Sequence, residues 1–209
     1  MAVNKFKKVD NEWREVLIDV DETGDALRYV ISRNATPACV FLSQDGIKEV
    51  VENRSMVEMS LASWTYIRQI SERIVEQGGA ALIADYGHKG DKEDTFRAFH
   101  RHQQVDPLLL PGTADITCDV DFSLLKTQMS GHCSWYGPIT QEHFLHSCGI
   151  GTRCQQLLQT CDNSQQQQIY DSFVMLTSPD QMGERFKFVS LFPATMSEIH
   201  KKYPPVGFE

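Results

Sequence analysis

An apolar run that ends in a cluster of polar residues constrains the fold of this chain more than any other feature. Residues 78–88 read GGAALIADYGH, so two glycines precede a short apolar stretch, and Asp85, Tyr86 and Gly87 follow it directly. Such a run predicts a buried parallel strand. Because ligands of open α/β sheets bind at the carboxyl edge of the strands, these three residues are the first candidates for a functional site.

Composition excludes several classes of protein. The 209 residues include 28 acids and 20 bases, which gives a net charge of −8. A nucleic-acid binder would carry a basic surface, so no nucleic-acid partner is expected, whereas a basic peptide would be attracted. No stretch of apolar residues is long enough to span a membrane. The N-terminus resembles neither a secretory signal nor a transit peptide. The six cysteines include no CxxC pair, so no zinc or other metal site is predicted.

The N-terminal third shows the alternation of apolar and polar residues that is typical of short strands. Residues 13–20, 27–32 and 37–42 are each predicted as a strand, the last with Pro37 at its first position. Three short strands in succession indicate an antiparallel meander added to the main sheet.

A long helix is predicted over residues 56–77. Ser55 and Glu58 match a capping box, and apolar residues recur at helical spacing as far as Gly78 and Gly79, which end the helix. This helix and the strand of residues 80–84 form the second half of a βαβ unit.

Further along the chain, residues 95–104 are predicted as a short basic helix and residues 116–122 as a half-buried strand. A short helix starts at Phe122, and another is capped by Thr140. Residues 152–176 are expected to be helical and to end a C-terminal helical lobe, and residues 186–192 form a last strand. The fold class is therefore α/β, with a domain over residues 1–193 and a mobile tail over residues 194–209.

Carboxylates gather in two of these segments. Asp85 follows the first strand, and Asp115, Asp119 and Asp121 lie in the second segment. Such a set could bind a metal ion, act as acid or base, or bind an organic cation. Acids on the solvent-facing side of a strand are the alternative interpretation. A metal-dependent hydrolase that also uses His88 is disfavoured, because no HExxH-type motif accompanies the acids.

Seven blocks, in order and at matching spacing, make the sequence similar to the MidA family of methyltransferases. They are WREV (13–16), GGAALIADYGH (78–88), DTFR (94–97), PGTADITCDVDF (111–122), YGPITQ (136–141), FLHSCGI (144–150) and MGERF (182–186). The resemblance covers nearly the whole chain, from about residue 5 to residue 191.

The resemblance implies a Rossmann-like sheet that binds S-adenosylmethionine. It also implies symmetric dimethylation of an arginine on a core subunit of the peripheral arm of mitochondrial complex I, in the matrix. Tyr86 and Gly87 are then candidates for cofactor binding. Asp85, Asp115, Asp119 and Asp121 are assigned by chemistry and position as the catalytic carboxylates that grip the substrate guanidinium.

One part of the family pattern is missing from the sequence. Methyltransferases of this kind bind the cofactor through a first strand and a glycine-rich turn, and residues 149–151, the GxG of the chain, follow a helix instead. The chain therefore resembles the carboxyl-terminal half of a family member, and alone it is expected to bind the cofactor poorly or not at all and to be catalytically weak or inactive. An alternative function is a non-catalytic binding or assembly module, and an exposed sheet edge is expected to cause self-association.

Overall fold

The computed structural model of the chain describes residues 1–129 and 131–209. The strands are β1 (Asn4–Val9), β2 (Glu12–Val20), β3 (Leu27–Ile31), β4 (Met56–Met59), β5 (Ala81–His88), β6 (Arg97–His100), β7 (Gln103–Val105), β8 (Asp115–Thr117), β9 (Val120–Asp121), β10 (Cys133–Thr140) and β11 (Phe186–Pro193). The α-helices are α1 (Ile47–Val51), α2 (Leu61–Gln77), α3 (Phe122–Thr127), α4 (Gln141–Ser147), α5 (Ile150–Thr160), α6 (Asn163–Thr177), α7 (Met182–Arg185) and α8 (Ser197–Lys202). Two 3₁₀ helices cover Pro37–Ser43 and Ala194–Met196. The chain forms two compact units, one of Met1–Ile67 and Lys89–Gln128, the other of Arg68–His88 and Met129–Glu209.

The first unit contains the predicted antiparallel meander. Its sheet has the strand order β3-β2-β1-β4, and each neighbouring pair is antiparallel. Phe6 of β1 stands opposite Glu15 of β2 and Val57 of β4. The strands β2 and β3 were expected, but the remaining members are β1 and β4, which the sequence analysis missed.

Residues 37–42 are not the third strand of this meander; that prediction is wrong. They lie in the 3₁₀ helix Pro37–Ser43, with Pro37 in its first turn, where a missing N–H breaks no intrahelical bond. The buried residues Cys39 and Leu42 are three positions apart. A 3₁₀ helix places residues at that spacing on one side, so the apolar run follows a period of three rather than two.

The capping box at Ser55 and Glu58 is also wrong. Residues 56–59 form β4, which pairs with β1, and α2 begins only at Leu61. Ser60 caps it: its carbonyl accepts from Trp64 N at 3.3 Å and its hydroxyl from Ser63 N at 3.4 Å. The predicted end of the helix is confirmed, because α2 stops at Gln77 and Gly78 follows with a φ of 76°.

A buried acid, Glu58, ties the loop before β6 to the meander. Glu58 Oε2 accepts from Thr95 N at 2.9 Å and from Thr95 Oγ1 at 2.6 Å, and Oε1 accepts from Phe96 N at 3.1 Å. Lys5 Nζ lies 3.6 Å from the same carboxylate. The carboxylate thus satisfies two backbone donors and one hydroxyl, which is how a charged side chain can be tolerated at 8% exposure.

The predicted basic helix over residues 95–104 is replaced by a hairpin of β6 and β7. Arg101 and His102 connect the strands with φ values of 50° and 64°. Positive φ at both loop positions is the mark of the two-residue turn that joins antiparallel strands with the correct twist. The sequence lacks the usual Asn-Gly signal there, which is why a helix was predicted instead.

Residues 116–122, predicted as one half-buried strand, form two short strands and the start of a helix. β8 pairs with β6, β9 follows after two residues, and α3 begins at Phe122 as expected. Ile116 is 55% exposed, whereas Asp119 and Asp121 are buried. The predicted alternation is not observed, because Asp115 and Ile116 are both exposed and Asp121 and Phe122 are both buried. The two buried acids pair with basic side chains of the same unit.

In the second unit, β10, β11 and β5 are hydrogen-bonded in that order. β5 is confirmed as a strand, although it is antiparallel to β11 and half exposed rather than a buried parallel strand. The helices α4, α5, α6 and α7 pack against one another as the predicted helical lobe. Thr140 caps α4 as predicted, its hydroxyl accepting from His143 N at 3.1 Å. In the part of the chain that is described, no helix is both long and apolar enough to cross a membrane.

The predicted tail, residues 194–209, carries regular structure. It contains α8, and His200 of this helix is buried, with Nδ1 at 3.0 Å from the hydroxyl of Tyr136 in β10. The ring of His200 also meets Phe192 edge to face, with centroids 4.6 Å apart. The tail is thus packed within the second unit, to which it belongs. Its mobility in solution stays a prediction.

Candidate functional site

The end of β5 presents a carboxylate at the surface. Asp85 is exposed, and its Oδ1 accepts from Tyr86 N at 2.8 Å. Across the ladder Asp85 stands opposite Lys187 of β11, a buried lysine whose Nζ donates to Glu184 Oε1 at 2.6 Å. An exposed carboxylate at this position can interact with an external cation.

Tyr86 and Phe186 form an aromatic surface next to this carboxylate. They are ladder partners on β5 and β11, their ring centroids lie 4.1 Å apart at an angle of 38°, and both side chains are half-buried. A flat, partly exposed aromatic pair offers stacking area to a planar ring such as adenine. Gly87, which follows, is buried in β5. Tyr86 and Phe186 thus provide a partly exposed aromatic surface at the end of β5.

Asp119 lies in the first unit and is buried between two bases. Its Oδ1 is 2.7 Å from Arg97 Nη2, its Oδ2 is 3.1 Å from Lys92 Nζ, and its backbone N–H donates to Thr95 Oγ1 at 2.9 Å. Burial alone would raise the pKa of the Asp119 carboxyl, but Arg97 and Lys92 outweigh burial and hold this pKa below its ordinary value. Asp119 is therefore an ionised partner of bases that belong to the chain.

Asp121 is held from two sides as well. Its Oδ1 caps α3 by accepting from Ser123 N at 3.0 Å and from Leu124 N at 3.1 Å. Its Oδ2 forms a buried ion pair with Arg54, which also donates to Ser123 Oγ at 2.9 Å. Gly90, with a φ of 96°, lies against this pair, because a Cβ there would meet Ser123 Oγ at 2.7 Å and Arg54.

Asp115 has a different environment. It is exposed at the first position of β8, where it pairs with Phe99 of β6. Within the first unit the three acids of this segment therefore do not converge on one point: Asp119 and Asp121 bind different bases, and Asp115 faces solvent. The grip of a carboxylate on a guanidinium, expected for the substrate, occurs here with Arg97 and Arg54.

The sequence analysis did not predict the buried ion pairs and hydrogen bonds that organise these segments. They are made by Lys92, Arg97, Arg54, Lys187 and Glu58, of which Glu58 had been assigned to a capping box. The partners of Asp121 and Glu58 lie 67 and 37 positions away in the sequence. No local spacing reveals such pairs, although an acid at an apolar position of a strand pattern is a general sign of a buried ion pair.

Among the described residues, no three or more His, Cys, Asp or Glu side chains are arranged to hold a metal ion.

Comparison with known proteins places the chain among the methyltransferases. Residues 1–139 match the family described as "Putative S-adenosyl-L-methionine-dependent methyltransferase". The chain belongs to this family. The predicted resemblance is thereby confirmed, since this methyltransferase family accounts for about two thirds of the chain, including β5 and the segment with the acids.

Curated relatives extend the similarity. The chain is 45% identical over 195 residues to "Protein arginine methyltransferase NDUFAF7, mitochondrial" of Rattus norvegicus, covering 92% of the chain and 43% of the relative. It is 43% identical over 217 residues to the Drosophila melanogaster homolog, covering 100% of the chain and 48% of the relative. The chain thus spans slightly less than half the length of these relatives, which agrees with the length expected from the sequence.

Solved structures support the fold of this methyltransferase-family chain. An uncharacterized protein from Burkholderia thailandensis matches with a TM-score of 0.72 at 24% identity, over 93% of this chain and 52% of that one. A second protein from the same organism, solved bound to S-adenosyl-homocysteine, matches with a TM-score of 0.71 at 23% identity. The α/β fold expected for a Rossmann-like methyltransferase, with an added meander and a helical lobe, is confirmed at the level of architecture.

Proposed function

We propose that this chain forms part of an S-adenosylmethionine-dependent protein arginine methyltransferase. Its reaction is the symmetric dimethylation of an arginine on a core subunit of the peripheral arm of complex I, in the mitochondrial matrix. The observation that carries the proposal is the 45% identity, over 92% of the chain, to mitochondrial proteins named as arginine methyltransferases. Membership of the methyltransferase family agrees with it.

The chemistry asks for carboxylates that a substrate can reach. A guanidinium is protonated in water and is a poor nucleophile, so it must be oriented and its charge balanced before it can accept a methyl group. Asp85 and Asp115 are exposed carboxylates and are available to a protein substrate. Asp119 and Asp121 already bind guanidinium groups of this chain, so their part in catalysis requires exchange of Arg97 or Arg54 for the substrate.

For the cofactor, we propose that Tyr86 and Gly87 contribute to the binding surface. When bound, S-adenosylmethionine supplies the methyl group that the arginine nitrogen accepts. The half-buried ring of Tyr86, backed by Phe186, can exclude water from one side of a planar ligand. The neighbouring Asp85 adds a negative charge that attracts both a sulfonium and a guanidinium.

Calorimetric titration with S-adenosyl-homocysteine tests cofactor binding, with the full-length rat relative as positive control. Because the glycine-rich turn is missing, we expect weak binding by the wild-type chain, and about tenfold weaker binding still by Tyr86→Ala, which loses the stacking area. Micromolar binding by the wild type would show that a usable cofactor pocket survives without that turn. A second variant, Asp85→Asn, is used in the methyl-transfer assay, and Asp180→Asn is its matched control in both measurements, because both aspartates are exposed and belong to the same unit. A folded sample that shows no heat, while the relative binds, would contradict cofactor binding by this chain.

Methyl transfer is tested separately, with tritiated S-adenosylmethionine and a purified core subunit of the peripheral arm as acceptor. Incorporation of label that mass spectrometry locates on an arginine as dimethylarginine is the expected result, and Asp85→Asn should lower its rate. Stable association with the subunit and no incorporation would instead support the alternative function, a non-catalytic binding or assembly module.

A further inference from the structure

One face of the β2–β3 hairpin is apolar along its whole length. Five ladder pairs join the strands, and in three of them both residues are apolar and point to the same side: Val16 with Ile31, Ile18 with Tyr29, and Val20 with Leu27. These six residues are called the ribbon face. On the opposite side of the same hairpin, Arg28 and Asp19 form an ion pair at 3.7 Å beside the apolar pair of Leu17 and Val30. The opposite side is therefore mixed in character, whereas the ribbon face is apolar in all three of its pairs.

The ribbon face is open to solvent. Ile18 is 54% exposed, Val20 47%, and Tyr29 and Ile31 45% each. Single exposed apolar residues are common, but a continuous, registered patch of six marks a surface that contacts another molecule. Lys5 Nζ, 5.9 Å from the centroid of Tyr29, borders the patch on the side of β1.

Opposite charges lie at the two ends of the ribbon face. Arg14 is four residues before Ile18 in β2, and Lys7 of β1 stands opposite Arg14 on the same side of the sheet. Arg14 Nη2 also lies 2.5 Å from Glu12 Oε2, so part of the positive charge at this end is balanced within the chain. Glu22 is four residues after Ile18, in the acidic turn that connects β2 to β3, and its Oε1 lies 3.9 Å from Arg28 Nη1. A contact at the ribbon face would therefore compete with Arg28 for this carboxylate. At about 3.3 Å per residue, each end lies roughly 13 Å from the centre of the ribbon face.

We propose that the ribbon face is a dimer interface for a second copy of this chain. The two ribbon faces then lie against each other, related by a two-fold axis between them. The axis is perpendicular to the strands and passes at the level of Ile18 and Tyr29. The strands of the partner therefore run in the opposite direction. The basic end of each copy then lies over the acidic turn of the other, and the apolar centres meet. A two-fold contact must be self-complementary, and a patch that is apolar in the middle and opposite in charge at its ends meets that condition.

The area of the ribbon face is sufficient for such a contact. The exposed parts of its six side chains amount to on the order of 400 Å² per copy, with aromatic and aliphatic side chains at their usual sizes. Two copies and the charged ends then bury about 1,000 Å², which is at the lower limit for a specific interface. The dimer is therefore expected to be reversible, with dissociation measurable at micromolar concentrations of chain.

Sedimentation equilibrium of the full chain tests the interface. We expect a monomer–dimer equilibrium for the wild type and, for Ile18→Asp, a dissociation constant raised at least about 100-fold, because two carboxylates would be buried near the axis. Leu17→Asp is the matched control: it makes the same change one residue away, on the other side of the strand, where Leu17 is 41% exposed. It should dissociate like the wild type.

A charge exchange gives a second test that leaves the apolar residues intact. Arg14→Glu and Glu22→Arg should each weaken the dimer, and the double variant should restore most of the affinity at low salt. A wild-type chain that is monomeric up to about 100 µM would overturn the proposal. Dimers that tolerate Ile18→Asp as well as they tolerate Leu17→Asp would do so too, because association would then use another surface, such as the sheet edge. If Ile18→Asp fails to fold, the charge exchange alone decides, and neither test depends on methyl transfer.

Discussion

Replacement of Glu58 by alanine should destabilise the first unit more than replacement of any exposed acid. The carboxylate accepts three hydrogen bonds, from Thr95 N, Thr95 Oγ1 and Phe96 N. Glu58→Ala removes the acceptor of the buried Thr95 N–H and of the partly buried Phe96 N–H, each costing about 1–3 kcal/mol when it is shielded from water, and the loss of charge next to Lys5 adds to this. The free energy of unfolding should therefore fall by about 3–5 kcal/mol.

Glu58→Gln is a milder test of the same contacts. The amide keeps one acceptor oxygen but turns an N–H₂ group toward either Thr95 or Phe96, so about half of the destabilisation should remain, roughly 1.5–2.5 kcal/mol. Urea-induced unfolding measures the total change, and hydrogen exchange of the Thr95 and Phe96 amides measures the local one. Both amides should lose protection in each variant.

The matched control is Glu76→Ala, at an exposed position near the end of α2. It should change the free energy of unfolding by less than about 0.5 kcal/mol. If Glu58→Ala were no more destabilising than this control, or if the Thr95 amide stayed protected, the loop would be held by other contacts and the reasoning would be refuted.

Three further predictions concern single groups. Because the pKa of Asp119 is lower in the folded chain than in the unfolded one, its contribution to stability is complete above about pH 4 and is lost as the pH falls through the folded value; acid titration of stability should be shallower in Asp119→Asn. Gly90→Ala should lower the free energy of unfolding, measured by thermal denaturation, by about 2 kcal/mol, since the φ of 96° at Gly90 and its proximity to the Arg54 ion pair both disfavour a side chain. An unchanged melting temperature would exclude close packing of Gly90 against Arg54 and Ser123. Burial raises the pKa of the Cys133 thiol, so Ellman's reagent at neutral pH should modify the exposed Cys148 much faster; equal rates would show that Cys133 is accessible.

The sequence predicted elements whose signals are local. Glycines after residue 77 ended α2, Thr140 capped α4, and the apolar run of residues 81–84 formed β5. Each of these depends on backbone preferences that neighbouring residues decide. The errors occurred where tertiary contacts decided instead. Residues 56–59 have helical spacing but gain their hydrogen bonds from β1.

The candidate site was predictable in its residues but not in its organisation. Asp85, Tyr86 and Gly87 could be located because they follow an apolar strand, and Asp85 is exposed there. The environments of Asp119 and Asp121 could not, because charge pairing across 22 to 67 positions leaves no periodic signal. Tertiary packing decides whether a carboxylate faces solvent or binds a guanidinium of its own chain. The chemical argument that a carboxylate binds a guanidinium cannot distinguish a substrate arginine from an arginine of the same chain.

The pairing of β5 with β11 has a consequence for synthesis on the ribosome. About 100 residues separate the two strands, so at about 5–20 residues per second the nascent chain carries β5 for roughly 5–20 s before β11 exists. During that interval Leu82 and Ile83 lack the neighbours that they have across the ladder in the finished protein, Ser190 and Val189. An apolar strand that waits this long is a target for chaperones and for aggregation, and slower translation of residues 90–185 should lower the yield of soluble protein.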